Sequence, residues 1–307
     1  MIANRIAYGE TLAQLMKENP NIVVLDADAG KSTGAIAAKA AFPDRYISLG
    51  IAEQNMMGYA AGLATCGKIP FVATFAVFTS MRAVEQFRQT ACLQKLNVKV
   101  AGTHSGLETG PDGSTHQSVE DVAIIRAIPN VRLLVPSSPN ASRKLTRLAA
   151  ALEGPVYLRF AKDPAPELYS ETEEFPLGGS KELQAGNDAA IMAYGNMVGV
   201  ALEAAKTLEK NGKKVRVIDM YSIKPIDEAA IIKAAKETKG IVTIEDHNII
   251  GGLGGAVSEV VSSKSPAKVI RLGIQDSFGR TGDTAGLHKI YGLTAENIIK
   301  AIESLQV

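Results

Sequence analysis

Glu53 stands in the most unusual chemical setting of the chain. It lies in ISLGIAEQNMMGYAAGLATCG, residues 47–67, where a short apolar run gives way to a stretch of Met, Ala and Gly. The first part predicts the end of a buried strand, and the run after Glu53 predicts a helix whose small residues suit close packing. A carboxylate at that junction admits two readings. It is a first-turn acid complementing the helix N-terminus, or a carboxyl group whose proton affinity burial raises, so that it shares a proton with a buried partner.

Other groups of chemical interest fall within reach along the sequence. Phe75 and Phe78, three apart at the end of an apolar run, read as core packing or as a flat slot for a heteroaromatic ring. His104 and His116 share one glycine-rich stretch, THSGLETGPDGSTHQ, with Asp112. That stretch is too polar and turn-prone for core, and its histidines suit hydroxyl and phosphate recognition. His247 and His288 lie in the second half, where a structural or interface hydrogen bond is the default reading. The glycines of IIGGLGGAV lack the GxGxxG order and read as close backbone packing, and AGKSTG lacks the first glycine of a phosphate loop.

The elements that must position these residues follow from the apolar pattern. Strands are predicted in NIVVLDADAG, KIPFVATFAVF, VKVAGTH and VRLLVP, with helices between them, including 81–96 and 118–127. Alternating strands and helices predict a doubly wound α/β domain with a mostly parallel sheet over residues 1–165, with ligands at the carboxyl ends of the strands. Residues 166–186 are rich in Pro, Gly and charge and read as a linker with one short hairpin. DAAIMAYG, KKVRVIDMY, GIVTIEDH and AKVIRLGI, spaced by helices at 197–211, 227–239 and 255–263, predict a smaller α/β domain over 187–307.

The 307 residues carry a net charge of +1, which gives no footprint for nucleic acid or an anionic membrane. No apolar run nears membrane-spanning length and no signal peptide is legible, so a soluble, cytoplasmic chain is expected. Cys66 and Cys92, the only cysteines, are not spaced as a metal or redox pair and read as buried thiols.

Taken together and in order, GIAEQNM, TFAVF, GPDGSTHQSVED, VPSSP, VIDMYSIKPID and IEDHNIIGG resemble the C-terminal half of transketolase across nearly the whole chain. The resemblance implies the pyrimidine-binding and C-terminal domains of a thiamine-diphosphate enzyme that transfers two-carbon ketol units between sugar phosphates of the pentose phosphate pathway. By the same resemblance, Glu53 would bond the cofactor's aminopyrimidine and activate it, with His116 as a second catalytic group. Phe75 and Phe78 would pack on the pyrimidine, and Ile51 and Asp28 would lie beside the cofactor. Arg5, Ser32, His104, Asp112 and His116 would bind substrate. The arginine expected to grip phosphate after GPVYLRFAKDP aligns with Lys162, while Arg159 lies earlier on the same strand.

The family holds the diphosphate and its metal with a GDG motif, and this sequence contains none. No metal ligand is therefore expected in this chain. Mg2+ or Ca2+ and the diphosphate would be held by a separate N-terminal, diphosphate-binding subunit in an α2β2 heterotetramer. A deoxyxylulose phosphate synthase-like half, a 2-oxoacid dehydrogenase beta-like subunit and a non-catalytic partner-binding homologue are the alternatives.

Overall fold

Strands buried on both faces organise the molecule. Ile22–Asp26, Lys99–Thr103 and Val156–Arg159 carry no exposed residue, as expected of parallel strands covered by helices on either side. The computed structural model describes residues 1–306. Its larger sheet has seven strands in the spatial order Ser222–Lys224, Arg132–Leu134, Val156–Arg159, Lys99–Thr103, Ile69–Phe75, Ile22–Asp26 and Tyr46–Ser48. All neighbours are parallel except Ser222–Lys224, which runs antiparallel to Arg132–Leu134. The second sheet has five strands in the order Val269–Ile274, Ile241–Asn248, Ala189–Ala193, Val215–Asp219 and Lys181–Gln184, the last antiparallel. The doubly wound α/β class follows.

Helices start where local chemistry satisfies their first amides. Ser138 accepts from the Ala141 amide with Pro139 in the first turn of Pro139–Ala151, and Asp227 and Thr294 cap their helices similarly. Glu245 does so from outside the helix. Its buried carboxylate accepts from the amides of Leu253 and Gly254, and a Cβ at Gly252 would lie 2.0 Å from its Oε2. The glycines of IIGGLGGAV therefore serve close packing.

Three expectations are modified. The stretch expected as one helix at 81–96 contains π-helical turns at Phe78–Arg82 and Phe87–Cys92, a local widening often found at functional sites. Residues 166–186 do not form a hairpin of their own: Lys181–Gln184 pairs with Val215–Asp219 in the second sheet. Nor does the first sheet draw on residues 1–165 alone, because Ser222–Lys224, from the second half, closes its edge.

A fully buried ion pair within the first half also reaches the second through one hydrogen bond. Arg159 Nε donates to both Asp121 oxygens at 3.1 and 2.9 Å, and its Nη2 donates to the Asp246 carbonyl at 2.9 Å. No described helix is long and apolar enough to cross a membrane. Cys92 is buried, but Cys66 is exposed, contrary to the expectation of two buried thiols.

Candidate active site

The candidate residues gather at the carboxyl ends of the larger sheet. Strand Ile69–Phe75 ends in Phe75, and the turn after it brings Phe78 parallel to Phe75, ring centroids 5.9 Å apart with an interplanar angle of 8°. Strand Lys99–Thr103 ends one residue before His104, whose ring stacks on Phe75 at 4.0 Å and 14°. His116 meets both phenylalanines edge-on, at 6.2 and 5.4 Å. Three parallel rings with a fourth across them form an aromatic wall.

Glu53 is the first residue of helix Glu53–Thr65 and only 2% exposed. It faces a cation. Arg82 Nη1 donates to both of its oxygens at 3.0 and 3.1 Å, and the guanidinium lies over the Phe78 ring, 4.5 Å from its centroid. Arg82 is thus the link between the carboxylate and the aromatic wall. Sequence reasoning missed it, because nothing in TFAVFTSMRAV singles out an arginine 29 positions from its partner. In the structure the Glu53 carboxylate is held in an ion pair by this half-exposed cation.

A second group adjoins the wall. Arg5 Nη1 donates to the Ser32 carbonyl at 2.7 Å and its Nε to the Lys162 carbonyl at 3.2 Å. Arg5, Ser32 and Lys162 therefore form one cradle from three separate segments. The charges of Arg5 and Lys162 reach His104: burial first, and then these two cations, push its pKa down to about 3. His104 is only 4% exposed, more enclosed than its polar loop suggested, and is a neutral imidazole. Its Nδ1 lies 2.9 Å from Thr103 Oγ1.

The remaining candidates divide. Arg159 is not available to a substrate: its guanidinium is committed to Asp121 and the Asp246 carbonyl and is 3% exposed. The strand ends at Arg159 with its side chain inward, and the chain then turns toward the surface, where the Lys162 ammonium makes no ion pair among the described residues. Asp28, with φ of 61°, Ile51, 74% exposed, and Asp112 lie on loops at the same end of the sheet. No side-chain hydrogen bond or ion pair among the described residues ties these three to either group.

The second half also shapes the site. Gln117 Nε2 donates to the Arg280 carbonyl at 2.8 Å, and a Cβ at Gly113 would lie 2.7 Å from Thr281 Oγ1, so the loop at 275–283 rests on the loop carrying Asp112 and His116. Asp246 accepts the Leu107 amide at 3.2 and 3.0 Å.

Comparison with known proteins shows the family. The family profile described as "Transketolase, pyrimidine binding domain" matches residues 1–166, and that described as "Transketolase, C-terminal domain" matches residues 178–298. The chain is 38% identical to the 6-deoxy-6-sulfo-D-fructose transketolase subunit SqwH of Clostridium sp. (strain MSTE9), covering 97% of this chain and 92% of that one. It is 35% identical to a subunit of the apulose-4-phosphate transketolase of Actinobacillus succinogenes, covering 96% of each. Mouse transketolase is 37% identical, with 99% of this chain covering 49% of that protein. A solved structure described as "Split gene transketolase, inactive beta4 tetramer" superposes with a TM-score of 0.91 at 46% identity, over 99% of this chain and 98% of that one. The chain belongs to the transketolase family and carries its pyrimidine-binding and C-terminal domains.

Proposed function

We propose that this chain is one subunit of a cytoplasmic split transketolase, transferring a two-carbon ketol unit from a ketose phosphate to an aldose phosphate. Its cofactor is thiamine diphosphate, and a separate diphosphate-binding subunit in an α2β2 assembly holds the Mg2+ or Ca2+. One observation carries the reading: a water-shielded carboxylate is linked through Arg82 to two parallel phenyl rings, with a cationic cradle beside them. A flat aminopyrimidine needs such a carboxylate and such rings, so the residues fit the cofactor. The partner is supported by the relatives named as subunits, which this chain spans almost end to end.

The bound cofactor supplies a carbon nucleophile and an electron sink for breaking the carbon–carbon bond. The chain's own residues do the rest. Glu53 holds a proton at the pyrimidine ring nitrogen, and its burial keeps water from competing for it. Phe75 and Phe78 fix the ring's plane and exclude solvent, while Ile51 and Asp28 border the cofactor. Arg5, Ser32 and Lys162 take the substrate phosphate with fixed donors and positive charge. Neutral His104 contributes a hydrogen bond beside them, and Asp112 and His116 receive the sugar hydroxyls nearer the reacting carbons.

The test is ketol transfer from xylulose 5-phosphate to ribose 5-phosphate with thiamine diphosphate and magnesium, on this chain alone and with the diphosphate-binding partner. Turnover only in the mixture, reduced at least about 100-fold by Glu53→Gln, is expected. Turnover by the chain alone, or transfer from pyruvate in place of a ketose, would overturn the assignment.

A further inference from the structure

Glu108 lies four residues after His104 and four before Asp112, inside the substrate loop, and is buried at 2% exposure. Its Oε2 accepts two successive main-chain amides, those of Lys162 and Asp163, each at 2.8 Å. Its Oε1 accepts from Asn196 Nδ2 at the start of helix Met197–Lys210 in the second half. One carboxylate thereby joins the substrate loop, the segment bearing Lys162 and the C-terminal half. The connection continues to the cradle, because the Lys162 carbonyl accepts from Arg5, and Arg5 donates onward to Ser32.

Two successive N–H groups closing on one oxygen make a small anion nest, which constrains the backbone at both residues. Lys162 cannot turn about its own backbone without breaking one of these bonds. A buried carboxylate is a costly way to tie loops together, since its desolvation must be offset by good bonds. Here those bonds fall at the root of Lys162, the cradle cation whose side chain no other group steadies among the described residues.

The groups around it match that task. Asp246 and His288, with Glu108, place one oxygen or nitrogen each within 4.8 Å of one another. The two carboxylates are already employed, however, and only His288 Nε2 lacks a hydrogen-bond partner among the described residues. Both Glu108 oxygens hold donors, and Asp246 holds the Leu107 amide and faces His288 Nε2 at 3.5 Å. The cluster is a clasp between segments rather than an open metal site.

We propose that Glu108 is a positioning residue for the substrate phosphate, acting through the backbone of Lys162 and, through the Lys162 carbonyl, on Arg5. The proposal rests on the phosphate-binding role of Arg5, Ser32 and Lys162 put forward above. It assigns the C-terminal half a part in substrate recognition through Asn196.

The test compares Glu108→Ala, Glu108→Gln and Lys162→Met in the reconstituted assembly, with xylulose 5-phosphate and, as an unphosphorylated donor, erythrulose. Glu108→Ala raises KM for the phosphorylated ketose about tenfold or more, leaves kcat within about threefold and leaves KM for erythrulose unchanged. Added to Lys162→Met it causes less than its full loss, because the part that runs through the Lys162 side chain is already gone. Glu108→Gln restores the wild-type KM. The Asn196 Oδ1 atom is buried without a partner, so turning the Asn196 amide over lets it accept from the new side-chain nitrogen while the new carbonyl keeps both main-chain amides. Hydrogen exchange on the full chain gives a reading independent of turnover: the amides of Lys162 and Asp163 exchange faster in Glu108→Ala and not in Glu108→Gln.

Equal rises in KM for both ketoses, or an unchanged KM despite faster exchange at these amides, would overturn the proposal. If the wild-type assembly transfers no ketol unit, the reaction assigned above fails separately. Titration of inorganic phosphate against the full chain then decides on Glu108: weaker binding by Glu108→Ala than by wild type supports it, and equal binding overturns it.

Discussion

Replacing Arg82 with Met should destabilise the chain on its own yet tighten cofactor binding in the assembly. In the structure the guanidinium lies over Phe78 and bonds both oxygens of a carboxylate that is 2% exposed. Removing one partner of a buried pair costs about 3–5 kcal/mol. Arg82 itself is 48% exposed, so water already screens its side of the pair, and the loss falls to about 1–2 kcal/mol. For a chain of this size that is a drop in Tm of about 2–4 °C. The Glu53→Gln substitution should recover most of the loss in the Arg82→Met background, since it removes the stranded charge.

The sign reverses when the cofactor is present. Guanidinium and pyrimidine compete for the same carboxylate and the same ring face, so abolishing the competitor should lower the dissociation constant for thiamine diphosphate by about 5- to 30-fold, the same 1–2 kcal/mol expressed as an equilibrium. The measurements are a thermal melt of the chain alone, with its double-mutant cycle, and calorimetric titration of the cofactor into the reconstituted assembly. Weaker cofactor binding by Arg82→Met would refute the reasoning, because it would mean that Arg82 stays and helps hold the ring.

Three further outcomes follow from single residues. Asp219 is pushed up to about 7, chiefly by burial, so the fold favours its protonated form. Its stabilising contribution is full below the unfolded value near 4 and is lost as pH rises through 7. The advantage in unfolding free energy of Asp219→Asn over wild type should therefore grow between pH 5 and pH 8, by an amount on the order of 1–3 kcal/mol. Urea denaturation at the two pH values checks it, and a flat difference would contradict it. His104, held near 3, stays neutral throughout the working range. Its imidazole resonances should not titrate above pH 5, and His104→Asn should lower the rate without altering the shape of the pH–rate profile between 5 and 9. Gly9→Ala, which on helix propensity alone would add about 1 kcal/mol, should instead destabilise by about 1–3 kcal/mol. Its Cβ would lie 2.0 Å from the Gly34 carbonyl oxygen, a main-chain atom that cannot swing aside. A rise in Tm would show that helix Asn4–Glu18 has room to move.

The parallel strands were legible because burial on both faces leaves unbroken apolar runs such as IVVL and IPFVA, and the ends of the strands located Phe75, His104 and Asp28 at one end of the sheet. Glu53 was legible as a junction, since composition changes abruptly on either side of it. The short edge strands were not. SIK and KELQ are too brief and too polar to show a period, and their pairing depends on partners far away in sequence. Arg159 and Lys162 show a finer limit. Both are cations near one strand end, and only the point at which the strand stops decides that the first turns inward to Asp121 while the second lies beyond the sheet. Arg82 and Glu108 were missed for a related reason: each owes its role to a contact made across the fold. Glu108 did carry a signal, an acid in the middle of a glycine-rich loop.

The loop from His104 to Gln117 poses the problem that the second half of the chain solves. A glycine-rich loop that must present Asp112 and His116 would lose much conformational entropy on being fixed. It is pinned at its base by the paired main-chain bonds between Gly106 and Ser118, at 2.8 and 3.1 Å. Asp246 then takes the Leu107 amide, Glu108 reaches Asn196, and Gln117 reaches the Arg280 carbonyl. Three of these four anchors come from beyond residue 186. Gly106 has φ of +67°, and a Cβ there would lie 2.0 Å from Asp246 Oδ2, so the two halves meet at a place where no larger side chain fits. The C-terminal half is therefore part of the construction of the site: the loop's shape depends on Asp246, Asn196 and Arg280 as directly as on its own residues.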